Sequence, residues 1–140
     1  MIINKNNATI INSKEVYIHD STLTSAIYDF VDRKVRIELF DGTTIVFHNV
    51  VGVKSDSCAF WGKQLRQVVI DFEYVFDKDL KILPELYHIR DDIISQKGDI
   101  SDTYLTAGDS FFESSLILCS GERLNIACEW IEFDTNETED

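Results

Sequence analysis

Val35-Arg36-Ile37-Glu38-Leu39-Phe40-Asp41-Gly42-Thr43-Thr44-Ile45-Val46-Phe47-His48 is the stretch that decides the fold. Apolar and polar residues alternate on its N-terminal side, with Val35, Ile37 and Leu39 against Arg36 and Glu38. A period of two is that of a strand with one buried face. Asp41-Gly42 then reads as a hairpin turn, since both residues tolerate the positive φ of a type I′ turn. The return strand, read from Thr43 to Val51, places Ile45, Phe47 and Asn49 on one face and Val46, His48 and Val50 on the other.

Outward from this hairpin the strand pattern persists. Leu23 to Val31 is rich in aromatic and β-branched residues, and Asp32-Arg33-Lys34 breaks the run, completing a three-stranded meander. Val53 to Gln64 lacks regular alternation and reads as a loop. Arg66 to Phe76 is a further strand, with Val68, Ile70, Phe72 and Tyr74 opposed to Val69, Asp71, Glu73 and Val75. Asp77 to Ser95 holds the single candidate helix. Its Pro84 suits the first helical position, and Leu86, Ile89 and Ile93 follow at helical spacing. Phe111 to Cys119 and Leu124 to Phe133 form a last pair of apolar runs around Ser120-Gly-Glu-Arg123. In the second run Leu124, Ile126, Cys128 and Trp130 share a face, with Asn125 and Glu129 on the other.

The expected fold is mainly β, or α+β: an antiparallel β-sandwich or strongly curved sheet with about one helix. At 140 residues, 44% of them hydrophobic, the chain can build one core, so residues 1–133 are read as a single domain. Residues 134–140 carry four acids and no base and read as a frayed tail.

Charge narrows the function. Twenty-five Asp and Glu against thirteen Lys and Arg give a net charge of −12. Such a surface repels nucleic acid, whose binding depends on cations meeting phosphates, and speeds encounter with basic proteins. The N-terminal stretch lacks the basic and apolar regions of a signal peptide, and no run approaches the length of a membrane helix. A cytoplasmic protein is expected.

Cys58, Cys119 and Cys128 show neither a CxxC pair nor zinc spacing. With Ser120 to Arg123 as the turn, Cys128 falls opposite Ser115 and Cys119 opposite Leu124, out of register for a disulfide. The thiols read as buried and inert. His19-Asp20 is a possible acid–base or metal pair, but neighbours on a strand point to opposite faces, so a loop hydrogen bond is the plainer role. His48 and His88 stand alone in sequence, and a satisfied histidine is commoner in such a strand than a ligand. Asp71 and Glu73 project carboxylates from one strand face. Such a stripe suits a solvated surface or a partner contact better than a catalytic pair, whose members usually come from separate elements. Phe60-Trp61-Gly62 either plugs the end of the core or, if exposed, anchors a partner. Phosphate-cradling glycine loops, nucleophile elbows and HExxH are lacking from the sequence, so no metal or cofactor is implied.

Four segments carry a resemblance: His19-Asp20-Ser21, Phe47-His-Asn-Val-Val51, Cys58-Ala-Phe-Trp-Gly62 and Ser120-Gly-Glu-Arg-Leu-Asn-Ile-Ala-Cys-Glu-Trp-Ile-Glu-Phe133. In their order and character the chain resembles small acidic bacterial immunity proteins from polymorphic-toxin loci. These segments build a fold and hold no catalytic residue to transfer. The resemblance implies a non-enzymatic protein that binds one basic toxin domain stoichiometrically and blocks it. On that reading Trp61, Asp71, Glu73 and Glu129 are the candidate contacts. A second class stays open: a ligand-binding or enzymatic β-domain built around His19, Asp20 and His48. A third is a structural subunit that self-associates through an edge strand.

Overall fold

The computed structural model describes residues 2–6, 22–55, 69–75, 80, 82–97, 110–118 and 123–134. Among them, nine strands and one helix follow in order: β1 (Ile2–Asn4), β2 (Leu23–Asp29), β3 (Lys34–Leu39), β4 (Thr44–His48), β5 (Gly52–Ser55), β6 (Val69–Val75), α1 (Leu83–Lys97), β7 (Phe112–Leu118), β8 (Arg123–Cys128) and β9 (Trp130–Asp134). The strands form two antiparallel sheets, ordered β1-β9-β4-β3-β2 and β5-β8-β7-β6. Mainly β with a single helix is therefore the fold.

The meander β2-β3-β4 forms as its alternation requires. Val35, Ile37, Leu39, Ile45 and Phe47 are buried, and Arg36 points to solvent. The turn differs in kind from a type I′ hairpin. Only Gly42 has positive φ, at 91°, while Gly42 N donates to Leu39 O and Leu39 N to Thr43 O. Phe40, Asp41 and Gly42 thus make a three-residue loop with one left-handed glycine. Asp41 Oδ1 fixes it by accepting from Thr43 N at 2.9 Å. At the other end of β3, Asp29 Oδ1 accepts from the amides of Val31 and Asp32, and Arg33 takes φ 53°. This turn ends β2 at Asp29, so Phe30 and Val31 stand exposed rather than extending the strand.

Two strands change sheets. β4 pairs with β9 and β5 with β8, so β4–β5 and β9–β8 run as one long antiparallel ribbon through both layers. His48 faces Trp130 and Gly52 faces Ala127, leaving Asn49, Val50 and Val51 against only Cys128 and Glu129. This one-residue surplus is a bulge, the usual device for bending a strand. Asn49 absorbs it at φ 54°, a left-handed conformation that asparagine tolerates. Hydrogen bonds Glu129 N to His48 O and Val51 N to Ala127 O tie the corner on both sides.

The corner corrects the reading of Leu124 to Phe133 as one continuous run. Leu124, Ile126 and Cys128 face the core, but after the bend the inward residues are Ile131 and Phe133. Trp130 therefore leaves the face it was expected to share and is half-buried on the outside of the first sheet. In the β7–β8 pair Ile117 lies opposite Arg123, and Cys128 lies opposite Phe112 rather than the expected Ser115. Cys128 is free and buried, and burial pushes its thiol pKa well above the ordinary value.

The main core lies between the sheets, with Ile3, Ile37, Phe47 and Ile131 from one and Phe112, Leu116, Ile126 and Cys128 from the other. β1 lies outside the sequence expectation: three residues suffice because Ile3, opposite Ile131, is fully buried. β5 likewise forms where a loop is expected from Val53 onward. Val53 is its only large apolar side chain, so its strand character comes from the ladder to β8 rather than from alternation. β6 starts at Val69, and a register shift at Ile70 interrupts the expected alternation. β9 runs one residue into the acidic tail, since Asp134 pairs with Thr44.

Both faces of β7 and β8 are buried, unlike the wetter outer face expected of them. A second apolar cluster of Ile82, Leu83, Phe111 and Ala127 covers the outside of that sheet at the start of α1. Gly52, Ala127 and Glu113 form one cross-strand row beneath it. Glu113 is fully buried, and its two carboxylate oxygens accept from Ile82 N and Leu83 N, each at 3.0 Å. A carboxylate at a helix N-terminus satisfies otherwise orphaned donors and complements the helix dipole. Contact falls on Leu83, Leu86 and Tyr87, while Ile89 stays half-exposed at 50%, against the expected stripe.

Two outcomes check this arrangement in chemical denaturation. Glu113→Ala leaves two buried amides without acceptors, at roughly 1–3 kcal/mol each, so a loss of about 3 kcal/mol is expected, and Glu113→Gln should lose less. A Cβ at Gly52 would overlap Cγ2 of buried Ile82. Gly52→Ala should therefore cost about 1–3 kcal/mol by overpacking.

Candidate functional site

Helix α1 covers the outer face of the second sheet, whereas the outer face of the first is open among the described residues. The register lays out this open face row by row. Asn4, Trp130, His48, Lys34 and Asp29 form one row, and Ile2, Glu132, Val46, Arg36 and Ile27 the next. Asp134, Thr44, Glu38 and Ser25 form a third. Residues opposite one another on an antiparallel pair share a face, so these side chains make one surface.

At its centre His48 and Trp130 stack cofacially, with ring centroids 3.6 Å apart and planes within 3°. Strand pairing places them opposite each other, and the displaced parity after Glu129 is what brings Trp130 outside. His48 Nε2 lies 3.2 Å from Glu132 Oε1, one row further along β9. Stacking and this contact orient both rings, giving a rigid, flat aromatic surface beside a carboxylate. Such a pair suits contact with an incoming side chain. Ile2 and Ile27 stand at either edge of the middle row, 55% and 51% exposed.

Charges on the same face are partly compensated. Arg36 Nε contacts Glu38 Oε1 at 3.0 Å, and Ser25 Oγ donates to Glu38 Oε2 at 3.0 Å. Those hydrogen bonds, that from Arg36 foremost, hold the Glu38 carboxyl below its ordinary pKa. Glu132 and Asp134 lie exposed on β9, so the β1–β9 side of the face is acidic.

The residues singled out from sequence are placed as follows. Glu129 sits at the sheet-switching corner, where its carboxylate accepts from Asn49 Nδ2 at 3.1 Å and helps hold the bulge. Asp71 and Glu73 lie on β6, at the end of the second sheet, opposite Ile117 and Ser115. They are thus on a different sheet from the open face. Trp61, His19 and Asp20 lie outside the described residues. His48 takes the satisfied role expected for it, and His88 is on α1, 3.6 Å from Asp92 in an exposed i, i+4 pair. Among the described residues no group of three or more His, Cys, Asp or Glu is placed to hold a metal ion. No helix is long and apolar enough to cross a membrane.

Trp130 and Glu132 were missed as site residues because strict alternation put Trp130 inside. The Glu129-Trp130 boundary carried one signal, the partner strand's Asn49, a residue suited to a left-handed bend. Compared with known proteins, the chain matches no family model, and no curated protein matches it.

The Glu38 cluster gives a pH-dependent outcome. A carboxylate with a lowered folded pKa contributes stability above its unfolded pKa, and loses it as pH falls through the folded value. In a carboxyl-resolved NMR titration Glu38 should have its midpoint below that of a free glutamate. Arg36→Met should move that midpoint upward, and an unmoved midpoint would contradict the assignment.

Proposed function

We propose that this chain is a non-enzymatic protein-binding domain, an inhibitor of the immunity-protein type that neutralises a basic toxin domain by stoichiometric binding in the bacterial cytoplasm. One observation carries the reading: a five-stranded sheet presents an open outer face on which exposed isoleucines flank a stacked His48–Trp130 pair and the carboxylates of Glu132 and Asp134. Tryptophan is enriched among the residues that dominate binding energy. A nuclease toxin is basic because it holds phosphate, so a −12 inhibitor is steered toward it and repels its substrate.

In this reading Trp130 is the central anchor. Glu132 and Asp134 steer the encounter, while Asp71 and Glu73 extend the contact if the partner reaches the second sheet; Trp61, outside the described residues, stays a candidate contact on its residue type alone. The corner carboxylate Glu129 supports the anchor by holding Asn49.

Affinity capture from the native host's lysate, at low and then moderate salt, identifies the partner by mass spectrometry. A single basic protein retained stoichiometrically at moderate salt is the expected result. Against that partner, Trp130→Ala should weaken binding by about 2–4 kcal/mol. The pair Glu132→Ala, Asp134→Ala should mainly slow association, most at low salt. The same measurement on Asp71→Ala, Glu73→Ala reports whether β6 takes part. Retention of only heterogeneous, salt-labile proteins would overturn the inhibitor reading. Unchanged binding by the Trp130 and Glu132/Asp134 variants would remove the open face as the interface.

A further inference from the structure

Among the described residues the two sheets end on four strands, β1, β2, β5 and β6. An end strand presents main-chain groups to any other strand, and proteins blunt such edges by shortness, charge or cover. β1 is three residues long, β5 carries Lys54, and the sequence of β6 contains Asp71 and Glu73. β2 is seven residues long. From Leu23 to Tyr28 it holds no charged residue and no proline, in a chain that is 27% charged.

Exposure singles out the same strand. Ala26 and Tyr28 lie opposite Ile37 and Val35, on the side of the sheet that faces the core. Both are nonetheless exposed, so β2 projects past the edge of the core. Ile27, on the outer side, is 51% exposed, and Phe30 and Val31 just beyond the strand reach 88% and 90%. Among the described residues, four of the nine exposed large hydrophobics thus fall within five positions.

Main-chain direction follows from the register. Along β3, Leu39 N donates to Thr43 O and Arg33 O accepts from Val50 N, so the odd-numbered positions turn toward β4. The even-numbered Arg36 and Glu38 turn toward β2, where Ile27 and Ser25 lie opposite them. Ala26, between those two, directs its N–H and C=O away from β3 and toward the end of the sheet. A bulge at Thr24, whose hydroxyl donates to Glu38 O, bounds the regular stretch at Ser25.

We propose that β2 pairs antiparallel with β2 of a second copy of this chain, about a two-fold axis at Ala26, joining the two first sheets into one. The contact is isologous, each Ala26 supplying a donor and an acceptor to its counterpart. Charge selects this occupant. Between Leu23 and Tyr28 the strand offers a basic partner no carboxylate, whereas two uncharged edges meet without opposing like charges. The open outer face stays uncovered, since the second copy adds at the side of the sheet. One strand pair with the side chains of Ile27 and Tyr28 covers less than the roughly 1,200–2,000 Å² of stable complexes, so a dissociation constant on the order of 100 μM is expected. Repulsion between two copies of net charge −12 opposes the contact, and salt screens that repulsion. Association therefore strengthens with salt, the reverse of binding to a basic protein.

The test is sedimentation equilibrium of the full chain from about 10 μM to about 1 mM, at low and at moderate salt. The mass should rise with concentration from 16.1 kDa toward twice that value, and further when salt is added. In parallel, the Ala26 amide should exchange slowly with deuterium at high protein concentration and quickly at low. Ala26→Pro removes the outward donor where an edge strand tolerates proline, and should hold the chain monomeric. Ala26→Lys places like charges on the two edges with the backbone intact, and should do the same. Ile89→Lys, at a half-exposed position on α1, should leave the dimer unchanged. A constant mass throughout, association that weakens with salt, or a dimer that survives Ala26→Lys would each overturn the proposal.

Discussion

A one-residue surplus in a two-stranded ribbon governs this molecule. Asn49, Val50 and Val51 oppose only Cys128 and Glu129, and the bend that results carries both strands from one sheet into the other. Because the strand period is two, a shift of one residue exchanges inside for outside along everything that follows. Ile131 and Phe133 enter the core in consequence, and Trp130 is turned out onto His48. The positive φ of Asn49 and the hydrogen bond from its side chain to Glu129 hold this geometry in place.

A second constraint is local and close-packed. Gly52 and Ala127 leave room above the second sheet for Ile82 and Leu83, and Glu113 satisfies the helix amides that arrive there. A buried carboxylate is tolerated when its oxygens are hydrogen-bonded, and here both accept backbone donors. Covering this face makes the two sides of the molecule unequal. One sheet is buried on both faces along β7 and β8; the other keeps an outer surface of aromatic, aliphatic and acidic groups.

That asymmetry leaves the first sheet's outer face to meet other molecules. The open face combines exposed isoleucines, a rigid ring pair and uncovered carboxylates, a composition suited to a basic protein surface.

Much of the first sheet was legible in the sequence. Val35, Ile37, Leu39, Ile45 and Phe47 announce their buried face by alternation alone, because a half-buried strand must alternate. The helix around Pro84 and the last hairpin were legible as elements for similar local reasons. What failed did so where the cause is not local. β5 has no alternation and exists through its ladder to β8. Ile89 sits at helical spacing but remains exposed, since only the first turns of α1 meet the sheet. Trp130 faces outward because of a bulge on the partner strand, some eighty residues away in the chain. By itself the sequence determined the mainly β class, the meander, the single helix and the acidic surface, since these follow from short-range period, turn chemistry and charge count. Only the tertiary structure decided which strand changes sheets, which face the helix covers and which aromatic ring reaches solvent. Each depends on strand pairing between distant segments, whose register cannot be read from either segment alone.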